Sequence, residues 1–73
     1  MKRYAIHRLG TYGGSEFSSI EYAREQLKVE KAEDLATCKA RHDGQGKVRI
    51  LGQDNYAIML GDNIWSQACI VKA

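Results

Sequence analysis

Residues 56–60, Tyr-Ala-Ile-Met-Leu, are a run with no charged side chain, and a turn sequence stands on either side of it. Gly52-Gln53-Asp54-Asn55 precedes it and Gly61-Asp62-Asn63 follows it. Five residues suit a strand, and a continuous apolar run is compatible with cover on both faces. The neighbouring segments read as its partners. Lys47-Val48-Arg49-Ile50-Leu51 alternates in polarity, and residues 64–71 alternate between Ile64/Ser66/Ala68/Ile70 and Trp65/Gln67/Cys69/Val71. Tight turns between alternating runs predict a β-meander with residues 56–60 inside the sheet.

The first part of the chain adds a strand and a helix. In residues 3–9, Tyr4 and Ile6 alternate with Ala5 and His7 as in a strand that ends at Leu9, and Gly10, Gly13 and Gly14 place a loop after them. Ser18-Ser19-Ile20-Glu21 matches a capping box, in which the first serine caps the helix and the glutamate reaches back to it. Phe17 and Tyr22 have the spacing of a hydrophobic staple across that start. Ile20, Ala23 and Leu27 then recur on one helical face. A break near Val29 is expected, with a second helical segment over residues 31–42 that has acids at its start and Lys39, Arg41 and His42 at its end. The alternative makes residues 35–42 a strand that turns through Asp43-Gly44.

The expected architecture is α+β: one globular domain over residues 1–73, with a small, mostly antiparallel sheet of four to five strands and one or two helices packed on one face. A chain of this length buries only about 60% of its unfolded surface, which leaves little room for an enclosed substrate cavity.

Charge and composition narrow the function classes. No apolar run reaches the ~20 residues needed to cross a bilayer, and His7 and Arg8 interrupt the apolar start that a signal peptide needs. A cytoplasmic protein with no membrane partner is the expectation. Cys38 and Cys69 are too few for a disulfide scaffold or a four-thiolate zinc site and read as reduced thiols. The net charge is +2, unevenly distributed. Residues 1–15 hold only cations, residues 16–34 hold six acids against Arg24, Lys28 and Lys31, and residues 35–49 are basic again.

The glycine loop lacks the lysine and hydroxyl residue of a phosphate loop. His7 and His42 stand at no metal-ligand spacing, and neither cysteine has an adjacent activating motif. Neither catalysis nor a cofactor or metal is therefore expected. Lys39, Arg41, Lys47 and Arg49 form the densest basic stretch and define one reading, a small nucleic-acid-binding regulator. The sequence pI of about 8.6 falls short of the usual nucleic-acid footprint.

The layout of a short strand, a capped helix and a tightly turned meander resembles that of small phage-encoded anti-CRISPR proteins. The likeness runs through Lys2-Arg3-Tyr4-Ala5-Ile6, Ser18-Ser19-Ile20-Glu21-Tyr22-Ala23, Val48-Arg49-Ile50-Leu51-Gly52 and Tyr56-Ala57-Ile58-Met59-Leu60. It is a likeness of pattern and carries over no residue roles. It implies an inhibitor in the host cytoplasm that sterically blocks a bacterial CRISPR-Cas effector, with a Cas subunit as its protein partner. The exposed, mixed-charge residues expected to contact a protein partner are Tyr12, Arg24, Glu25, Lys28, Arg41 and Lys47.

Overall fold

The computed structural model describes residues 3–8 and 16–72. Five strands and one helix follow in the order β1 (Tyr4–Arg8), β2 (Glu16–Phe17), α1 (Ile20–Arg41), β3 (Lys47–Gly52), β4 (Asn55–Leu60) and β5 (Asn63–Lys72). The strands form one antiparallel sheet in the order β2-β1-β5-β4-β3, and α1 packs on one of its faces. This is the α+β fold expected from the sequence.

The helix is one uninterrupted element of 22 residues, so neither the break near Val29 nor the strand at 35–42 occurs. The physical reason is visible in the sequence. No glycine or proline lies between residues 20 and 41, and no Ser, Thr, Asp or Asn precedes residue 31 to cap a second start. Val29 simply faces solvent at 47% exposure, and one β-branched residue lowers helix propensity only slightly.

The helix also starts one residue later than the capping box placed it. Ser19, not Ser18, is the N-cap, and its hydroxyl accepts the Tyr22 amide at 3.3 Å. The same hydroxyl donates to Glu21 at 2.8 Å and holds that carboxyl below the ordinary carboxylate range. Phe17 and Tyr22 do meet, with ring centroids 5.4 Å apart. Phe17 is held extended by β2, where it pairs with Tyr4, and this shifts the cap by one position.

At the other end Asp43 takes a left-handed φ of 54°, and the Gly44 amide reaches back to the Lys39 carbonyl at 2.7 Å. That six-to-one bond closes the helix as a Schellman turn.

Register decides which residues meet the helix. Ile6, Tyr56, Ile58 and Ala68 pack with Leu27 and Cys38 of α1, and Val48, Leu60 and Ile70 add to this cluster. Ala57 and Met59 alternate to the other face. There Ala57 stands opposite Arg49 on one side and Gln67 on the other and is fully buried. The apolar run at 56–60 therefore does lie within the sheet, flanked by β3 and β5.

A bulge where Ile58 pairs with Ser66 and Met59 with Ile64 leaves Trp65 as the extra residue. It turns Trp65 toward the core, against His42 at 6.2 Å, and sends Ile64 to the opposite face, where it is 48% exposed. Both cysteines are free; buried Cys38 donates its thiol to the Gln45 carbonyl.

Candidate docking groove between the helix and the edge strand

One face of α1 carries cations at positions 24, 28 and 31, which helical spacing sets side by side. The strand beneath them is β3, the edge of the sheet. Between them lies a groove of about 300 Å³ lined by Arg24, Leu27, Lys28, Lys31, Ile50 and Tyr56, with the β3–β4 turn at its end. Leu27 and Tyr56 are buried and form an apolar floor. Ile50 is 62% exposed, the most exposed large apolar side chain among the described residues.

Two groups of polar contacts brace this groove. Arg24 grips Asp54 in the β3–β4 turn through Nε at 2.7 Å and a second nitrogen at 3.3 Å. The contact favours charged Arg24 and ties the helix to the turn. Deeper in, Arg8 of β1 donates to both Glu30 and Asp34 of α1. Asp34 also accepts the Tyr56 hydroxyl at 2.5 Å. Burial pulls the Arg8 guanidinium down, but the hydrogen bond and charge of Asp34 outweigh it, and the net direction is up. Burial, then the hydrogen bond to Asp34, push the Tyr56 phenol well above its ordinary value, so it stays a proton donor at neutral pH. The cluster pins the groove floor to both the helix and the first strand.

The residues proposed from sequence for partner binding fall in separate places. Arg24 and Lys28 line the groove. Glu25 is exposed outside it. Arg41 is exposed at the end of α1. Lys47 lines a second hollow with Met59 and Asp62, beyond the helix C-terminus. Tyr12 lies outside the described residues.

The nucleic-acid set divides as well. Lys39 and Arg41 sit on the last helical turn, whereas Lys47 and Arg49 project from the sheet face away from α1, opposite Met59 and Ala57. Lys31 and Ile50 were not singled out from the sequence. The spacing of 24, 28 and 31 is the one signal that points to Lys31. Nothing local points to Ile50, whose exposure depends on β3 being an edge.

His7 and Cys69 stand directly opposite each other across β1 and β5. Among the described residues, no three His, Cys, Asp or Glu side chains gather to hold a metal ion. No helix among them is long and apolar enough to cross a membrane. No protein family, curated protein or solved structure matches the chain.

Proposed function

We propose that this chain is a non-catalytic binding module that docks on a protein partner through the α1–β3 side and acts by covering part of that partner. The observation that carries this reading is the groove itself. It combines a buried apolar floor, an exposed isoleucine and the cations Lys28 and Lys31 on a frame braced by Arg24–Asp54 and the Arg8 cluster. Apolar anchors ringed by polar groups are the usual anatomy of a protein interface. The resemblance in layout to anti-CRISPR proteins supports the finer reading, a steric inhibitor of a bacterial CRISPR-Cas effector in the host cytoplasm.

The rival reading, a nucleic-acid-binding regulator, has a distinct electrostatic signature. Lys39, Arg41, Lys47 and Arg49 divide between the end of the helix and the far face of the sheet. A few cations divided in this way support only non-specific affinity for a polyanion, roughly 10⁻⁴–10⁻⁶ M at physiological salt. Titration of a fluorescent duplex and a single strand at several salt concentrations checks this. Nanomolar binding that Arg41→Glu/Lys47→Glu abolishes would overturn the protein-docking reading.

A further inference from the structure

The outer side of β3 has no strand beside it among the described residues. Its main-chain donors and acceptors on that side are open to another chain. Two features blunt such an edge against self-pairing, charged side chains and a bulge, and β3 has both. Lys47 and Arg49 lie on it, and its register shifts after Ile50, leaving Leu51 as the extra residue.

Register also assigns what stands on each face of the edge. Val48 and Ile50 pair with Ile58 and Tyr56, on the face covered by α1; Val48 packs against the core, and Ile50 lines the groove with Lys28 and Lys31. Lys47 and Arg49 pair with Met59 and Ala57, on the opposite face. A strand laid beside β3 continues this alternation. Every second side chain meets Val48 or Ile50, the latter at the groove, and the ones between meet Lys47 and Arg49. The first set is matched by apolar residues and the second by carboxylates.

A second copy of the chain is a poor match. Antiparallel self-pairing sets Lys47 and Arg49 across from the same cations, and like charges opposite one another destabilise a sheet.

We propose that β3 takes up an extended segment of alternating apolar and acidic residues as an added edge strand. Its apolar side chains enter the groove and its carboxylates run along Lys47 and Arg49. This proposal rests on the protein-docking reading and names the kind of segment the partner presents. Main-chain hydrogen bonds supply much of the affinity in such pairing, and alternate side chains supply the specificity.

The test uses the full chain and fluorescent octapeptides in a polarisation titration. The probes are an alternating Val/Glu peptide, its Val/Lys counterpart, a shuffled peptide of the same Val and Glu content, and the Val/Glu peptide N-methylated at alternate amides. The expected result is saturable binding of the Val/Glu peptide and at least ~10-fold weaker binding of the other three. Lys47→Glu/Arg49→Glu is expected to reverse the preference toward the Val/Lys peptide. That gain requires a folded chain, so loss of structure cannot imitate it.

Equal binding of alternating and shuffled peptides would reduce the effect to bulk charge and overturn the proposal, as would no binding at all. Concentration-dependent dimerisation abolished by Ile50→Lys would assign the edge to a second copy instead. Failure of the peptides with weak nucleic-acid binding leaves docking by another surface, whereas tight nucleic-acid binding removes both readings.

Discussion

Arg8→Met is expected to destabilise the fold by about 2–4 kcal/mol, below the range for breaking a fully buried pair because these groups are partly exposed. The side chains of Arg8 and Asp34 are 30% and 18% exposed. Arg8 is the shared cation of Glu30 and Asp34, which lie one helical turn apart. Without it two carboxylates face each other at a spacing where like charges repel, and Asp34 keeps only the Tyr56 hydroxyl. At roughly 4–8 °C of melting temperature for each kcal/mol in a domain of this size, the loss is readily measured.

One control identifies the cause. Arg8→Met/Glu30→Gln/Asp34→Asn removes all three charges and keeps an acceptor for Tyr56, and is expected to recover most of the stability. No recovery in the triple variant would mean that Arg8 contributes only through packing.

Ile58→Ala is expected to cost about 2–5 kcal/mol, and Ile58→Val about 0.5–1.5 kcal/mol. Ile58 is fully buried in β4, an interior strand, with Val48 and Ser66 opposite it. It belongs to the cluster that joins the sheet to Leu27 and Cys38. A chain of 73 residues has only about 4–11 kcal/mol to lose. The alanine variant is therefore expected to populate unfolded chains at modest denaturant, while the valine variant melts cooperatively at a slightly lower midpoint. Chemical denaturation monitored by Trp65 fluorescence measures both. Similar midpoints for the two variants would show that the sheet–helix core lies elsewhere.

Local patterns made the sheet legible. The apolar run at 56–60 between two turns specified an interior strand, and the alternation at 47–51 and 64–71 specified its neighbours. Local patterns also produced the errors. Ser18 and Ser19 offer equivalent capping hydroxyls, and only the pairing of Phe17 with Tyr4 decides between them. The alternation of 64–71 did not reveal that a bulge turns Trp65 inward and Ile64 outward. β2 is two residues long, too short for any periodic signal.

The site was harder to read for a different reason. Arg8 finds Glu30 across 22 residues and Asp34 across 26, and Arg24 finds Asp54 across 30. Such pairs arise only when the helix settles on the sheet. Ile50 became a candidate only once β3 proved to be an edge rather than an interior strand.

Amide hydrogen exchange with and without a bound protein partner locates the docking proposed on the α1–β3 side. The partner is first captured on the full chain from a nuclease-treated cell lysate and purified. Bound partner is predicted to slow exchange at the β3 amides of residues 47–50 and around the groove at residues 50–56, with α1 changed most near Lys28 and Lys31. Protection confined to residues 5–7 and 67–71, with β3 unchanged, would place the partner over β1 and β5, away from the groove, and contradict docking on the α1–β3 side.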